Sequence, residues 1–475
     1  MDDYKFFNYE DDIDQAYKAS IYTISDTSNS EFFQQKDELK IRINLMDSIR
    51  AAQEHYNAKN ADMLNEALSN IRLLLPCIFN GVNQIIKDLK LIEFLINLAN
   101  EEVQECFYHV ISCLSNVYAC KFDKDMELHL DELFPIIFKH IESEDIPLRF
   151  QIFACLSNVI QYSEVYIDQI LELLPLDMMI ENSLNYGVPF IQVTLLIITQ
   201  VMNYFKICPQ EDVLIEFFMH VITSGAGKQL FDNLGIALIA TLKVSKEILQ
   251  QYFQSGLFVK LSELIRTILP DSTSILFQFL SIAFDRIPSD AECDGQLVRS
   301  IILQSYPISD LFLLYQKTSL YELRDILLKL SKYSLVYNLD NVNGSDTLKF
   351  VMELLEQFND MQFSTKSAAL GFIMAFALLT DESTLDLMLK NDLAETILSG
   401  LEWGSESLKG KIINNVWEMI QKTQGSIIHD ELINQLRDAE LMERINDVLD
   451  CDDLEDERNA ENILDYISKP EDETN

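Results

Sequence analysis

Three asparagines, Asn70, Asn116 and Asn158, each close a Leu-Ser-Asn tripeptide, and the gaps between them are 46 and 42 residues. A carboxamide carries both a donor and an acceptor, so a solvent-facing row of them can hold the main chain of an extended peptide. Ser-Asn in the middle of a helix costs several tenths of a kcal/mol relative to good helix formers, so three registered copies call for a physical reason. Two roles fit. The amides grip a partner's main chain, or they bridge neighbouring repeats and bond a carbonyl there.

Other chemistry-bearing residues form weaker patterns. Cys106, His109 and Cys113 fall on one helical face, with Cys120 seven residues further on. Tetrahedral zinc draws its ligands from tight turns plus a second element, and no Cys-x-x-Cys pair accompanies these. They read as core thiols beside a packed histidine. The run Ser224-Gly225-Ala226-Gly227-Lys228-Gln229 lacks the first glycine of a phosphate loop, since position 222 is Ile, and carries Gln229 where Ser or Thr is needed. It reads as a helix-to-helix turn. Asp450-Cys451-Asp452-Asp453-Leu454-Glu455 lacks the glycine of a calcium loop. With no nucleophile-base pair and no nucleotide fingerprint, the expectation is a non-enzyme with no cofactor and no metal.

The elements that position the asparagines repeat with them. Around Asn158 the apolar residues Ile152, Phe153, Leu156, Val159 and Ile160 stand at i, i+1, i+4, i+7 and i+8, the buried stripe of a packed helix. The stripe recurs with other residues in the asparagine place: Gln200, Ile282, Lys332, Ala375 and Glu418, with a blurred copy centred on Lys243 or Val244. Nine units thus run from 70 to 418 at a spacing of about 43 residues, the signature of stacked helical repeats. Glycine (13) and proline (10) are scarce, and no long alternating strand pattern is found. The expected fold is an all-α, right-handed solenoid of armadillo or HEAT-like repeats, about nine three-helix units. A solenoid also lets 475 residues that are 48% hydrophobic escape the size limit of a single core.

Three segments are expected: an acidic, disordered arm over 1–34, the solenoid over 35–449, and a mostly solvated acidic tail over 450–475 with a short helix near Ile463 to Ile467. A formal net charge of −40 repels nucleic-acid phosphates and anionic membranes and attracts cationic partners. No signal peptide and no membrane-spanning run is visible, so a cytoplasmic or nuclear location is expected. The eight cysteines read as reduced; Cys113 and Cys155 sit just before Leu-Ser-Asn, where Ala67 stands in the first copy.

The segments Ala67-Leu68-Ser69-Asn70-Ile71, Cys113-Leu114-Ser115-Asn116-Val117 and Cys155-Leu156-Ser157-Asn158-Val159 resemble the third helix of armadillo repeats. The pattern is similar to that of the importin-alpha family of nuclear import adaptors. The resemblance implies that the asparagines hold the main chain of a basic localisation signal, with a transport receptor as a further partner. The family's tryptophan row is replaced by Glu66, Ser112 and Ala154, and its basic N-terminal segment by an acidic one. Asn70, Asn116, Asn158 and Gln200 are therefore the expected partner contacts for an extended, basic peptide. Trp417, beside Asn414 and Asn415, is a further candidate contact or the large core aromatic of a capping repeat. The alternative is a structural scaffold or regulatory subunit that docks folded partners without reading a linear signal.

Overall fold

The computed structural model describes residues 31–78, 82–103, 105–120, 122, 126–162, 166–204, 210–244, 247–268, 270–286, 306–438, 441–446 and 454–468. Among these every regular element is helical, and there is no strand. Contacts divide the chain into two compact units, residues 1–217 with 243–245 and residues 218–242 with 246–475.

In the first unit a long helix, α1 (Glu31–Asn57), packs along the first motif helix, α2 (Ala61–Leu74), and buries Leu45, Ile49 and Ala52 completely. The next motif helices are α3 (Phe107–Tyr118), α4 (Ile146–Val159) and α5 (Val188–Tyr204), each packed on the one before. An outer helix backs each of these three: Leu91–Asn100, Leu130–His140 and Leu176–Tyr186. Caps set the boundaries. The side chains of Asn60 and Asp145 accept from the amides of Met63 and Leu148 at 3.2 and 3.4 Å, satisfying donors that a helix start leaves open.

The motif helices of the second unit are α6 (Phe231–Val244), α7 (Ser274–Arg286), α8 (Tyr321–Tyr337), α9 (Phe363–Leu379) and α10 (Glu406–Thr423). Helix α9 buries Ala369, Leu370, Phe372, Ile373, Met374, Ala375, Phe376 and Ala377, residues on all its sides. That is the burial of a helix sandwiched between α8, α10 and the outer helix Ser345–Gln357. The nine-unit reading assumed three helices per unit. The stretch before α9 has two, with only a 3-10 turn at Leu339–Asn341 in the place of a first helix.

The C-terminal reading also needs correction. Helix α11 (Leu454–Ile467) is a tenth motif helix, packed on α10, with Ala460 and Ile463 fully buried and Ile467 nearly so. The residues that carry it were hidden in a sequence dominated by acidic side chains, because only one narrow stripe of α11 needs to be apolar. Its docking is specific. Asn414 Nδ2 donates to Asp456 Oδ1 at 2.8 Å, and Asn459 Nδ2 donates to Asn414 Oδ1 at 2.7 Å. Gly410 makes room for this: a Cβ there would stand 1.8 Å from Asp456 Oδ2. The arm over 1–30 and residues 469–475 lie outside the described residues.

Truncating Ile463 to alanine removes a fully buried side chain and should destabilise the C-terminal unit by about 2–5 kcal/mol. A urea titration followed by amide exchange in α10 and α11 checks this; an unchanged midpoint would mean that 454–467 contributes no packing.

Candidate partner-binding surface

The asparagine places of the first unit fall on successive motif helices, and the structure separates their roles. Asn70 on α2 is exposed. Asn116 on α3 is half-buried and donates from Nδ2 to the main-chain oxygen of Arg72 on α2, at 2.9 Å. Asn158 on α4 repeats this one unit on, donating to Ser115 O at 2.9 Å and to Ser115 Oγ at 3.4 Å. Gln200 on α5 is half-buried at the next place. Because a carbonyl can only accept, the nitrogen end of each bonded amide must face the preceding helix, which fixes the orientation of the Asn116 amide with Oδ1 turned away from it.

These bonds belong to a larger set of unit-to-unit links onto main-chain oxygens. Cys106 Sγ donates to Ala61 O at 3.7 Å and Cys113 Sγ to Leu68 O at 3.3 Å. The hydroxyl of Tyr162 donates to Cys120 O. The cysteine-histidine pattern of α3 is thereby explained by packing. Cys106, Cys113 and Cys155 are buried, and burial pushes the Cys113 thiol up to about 12 and Cys120 to about 11. Cys77 is exposed, whereas Cys208, Cys293 and Cys451 lie outside the described residues. Among the described residues no cluster of His, Cys, Asp and Glu has the geometry of a metal site, and no helix is long and apolar enough to cross a membrane. The glycine-rich run is a turn between helices Glu211–Thr223 and α6, with Gly225 at φ 83° and a 3-10 turn over Ala226–Lys228.

Trp417 on α10 is half-buried and stands edge-on to Tyr466 of α11, with ring centroids 6.3 Å apart. Tyr466 OH in turn meets His429 Nε2 at 3.1 Å, and His429 Nδ1 meets Thr423 Oγ1 at 3.0 Å. This side chain therefore helps dock α11.

The geometry defines an all-α solenoid of armadillo-like repeats. Two solved structures share this fold over most of the chain. An engineered protein from a structural genomics effort superposes with a TM-score of 0.64 at 11% identity, over 90% of this chain and 99% of that one. A chain solved in work on a phosphorylation switch that controls the interaction between cadherin and beta-catenin gives 0.64 at 11% identity, over 96% and 97%. A designed armadillo repeat protein in complex with the peptide (KR)4 matches 53% of this chain, with a TM-score of 0.39 and 12% identity. No protein-family model and no curated protein sequence matches this one.

Two measurements follow from the site. Asn116→Ala should cost about 0.5–1.5 kcal/mol, because the Arg72 carbonyl loses its donor, whereas the exposed Asn70→Ala should change stability by less than about 0.5 kcal/mol. Thermal unfolding of the two variants compares them; equal losses would remove the inter-repeat role of Asn116. Alkylation at pH 8 mapped by mass spectrometry should modify Cys77 and spare Cys113 and Cys155 until the chain unfolds. The native thiols bind their protons more tightly than the usual value of 9.0, so the thiol contribution is complete below about pH 9 and is lost as pH rises toward about 12.

Proposed function

We propose that this protein is a non-catalytic protein-binding scaffold, and that its first unit holds an extended, basic segment of a partner across the asparagine places of α2 to α5. The observation that carries the reading is the Asn116 amide. Its nitrogen is held by the main chain of α2, so its oxygen is a preorganised acceptor for a partner N–H. Neighbouring helices pack about 8–10 Å apart, a distance that about three residues of extended chain cover, so one amide contact per three partner residues is the expected register. With no tryptophan slots beside them, these contacts are supplemented by carboxylates of a chain whose net charge is −40. Binding of that kind is fast and salt-sensitive. Recognition of nuclear localisation signals, with the transport receptor and the cytoplasmic and nuclear traffic that implies, is the most specific form of this proposal.

The same bonds favour a second reading. Asn116 and Asn158 both tie one repeat to the next, which suits a rigid scaffold or regulatory subunit that docks folded partners. Fluorescence anisotropy of a labelled Lys/Arg-rich peptide separates the two, using wild type, Asn70→Ala and the Asn116→Ala/Asn158→Ala double variant across a salt series. The peptide-holding role requires that Asn70→Ala weaken binding several-fold at unchanged Tm. Binding that is equal in all three proteins and vanishes at moderate salt reduces the surface to diffuse charge attraction. An unfolding shift in the double variant with no effect on binding leaves the scaffold reading.

A further inference from the structure

The asparagine places of the second unit hold different chemistry. Lys332 on α8, Ala375 on α9 and Glu418 on α10 occupy the place in three successive units, and all three line one open pocket of about 370 Å³. Small residues form its floor. Besides Ala375, Gly371 lies one turn earlier on α9, and a Cβ at Gly371 would stand 3.9 Å from Lys332 Nζ. The Lys332 amine therefore reaches out from α8 over the bare backbone of α9 toward α10.

Lys332 is half-buried, and it makes no hydrogen bond or ion pair with any described residue. Burial holds its ammonium below the usual lysine range, and the charge of Lys411 on α10 lowers it further. The other cation lining the pocket, Lys422, is spent on structure: its Nζ donates to Leu378 O at 2.8 Å and to Thr380 O at the end of α9, and it faces Asp381 and Glu382. Asn415 turns Nδ2 only toward the Met374 sulfur, at 3.9 Å, a weak acceptor. Glu418 is the one carboxylate lining the pocket and is exposed at its rim, beyond ion-pair reach of any described lysine. Partly desolvated positive charge without a counter-ion is costly, so such a site gains most from a ligand that brings one. The wall beside it is apolar. Val336, 46% exposed, lines it together with Leu378 and Leu379.

We propose that this pocket is a second docking site, for an extended acidic segment of a protein partner in which a carboxylate is flanked by an apolar side chain. Lys332 takes the carboxylate, Lys411 adds to the field that attracts it, and Asn415 donates to the segment's main chain. The apolar neighbour lies on Val336 and Leu378. The pocket is open and lined by residues of three motif helices, which fits a chain segment, and its apolar residues give no purchase to a bare inorganic anion. This site is independent of the first-unit surface and takes a partner of opposite charge.

The test is anisotropy of a fluorescein-labelled peptide of repeated Asp-Leu-Glu triplets against wild type, Lys332→Met, Lys332→Arg, Lys411→Met and Lys139→Met, the last an exposed lysine of the first unit. Wild type should bind. Lys332→Met should weaken binding at least tenfold, Lys411→Met should weaken it several-fold, Lys332→Arg should retain most of it, and Lys139→Met should match wild type. Removing a poorly solvated charge should leave the Tm of Lys332→Met equal to or above that of wild type, so loss of binding is read on a folded protein. Equal binding by wild type and Lys332→Met overturns the proposal, as does no binding by wild type. Displacement of the peptide by millimolar acetate or phosphate, with a peptide lacking leucine binding as well, overturns it in favour of a small-anion site. Failure of the basic-peptide experiment leaves this result untouched, because the variants and the probe are different.

Discussion

The structure depends on one constraint: no motif helix can bury its apolar surface alone. An interior helix such as α9 buries residues on nearly every side, among them Leu370, Phe372, Ile373 and Phe376, so it is stable only with a neighbour before and behind it. Everything else follows from stacking helices at a repeat of about 43 residues. Side chains at matching places then meet the main chain of the preceding motif helix again and again. Asn116 and Asn158 do so at separations of 44 and 43 residues, Cys113 at 45, and Lys422 on α10 meets the end of α9 at 44 and 42. Different chemistries do the same work. What the solenoid demands at these places is a donor, and amide, thiol, phenol and ammonium all supply one.

That demand explains why the sequence was informative about fold and less so about function. The period and the apolar stripe were legible because packing imposes them on every unit, and the all-α reading needed little more. The end of the row was harder to see. Helix α11 buries Ala460, Ile463 and Ile467 on a narrow stripe and surrounds them with Asp456, Glu457 and Glu461, so composition concealed a packed helix in what looked like a solvated tail. The missing first helix before α9 was equally invisible, since a turn and a short helix differ by a few residues that contribute little to the core.

The Leu-Ser-Asn copies stand at matching places on successive motif helices, but a tripeptide does not say which end of an amide is free. The half-buried Nδ2 of Asn116 and the exposed side chain of Asn70 are products of where each helix sits in the row, α2 having only α1 before it. Trp417 shows the converse. Its neighbours Asn414 and Asn415 suggested a contact pocket, yet Asn414 and the indole both serve the docking of α11.

Lys332 makes the physical point most sharply. Its position in the asparagine place could be read from the alignment of stripes. Only the stacking of α8, α9 and α10 reveals that its amine lies over Gly371, half-buried, with Lys411 and, among the described residues, no ion-paired carboxylate. Stability alone argues against keeping such a charge, because a neutral side chain of similar shape would cost less to bury. A group retained against that pressure at the repeat's contact place is accounted for most simply by a ligand that completes it, so in this unit the solenoid's own repetition becomes the argument for recognition.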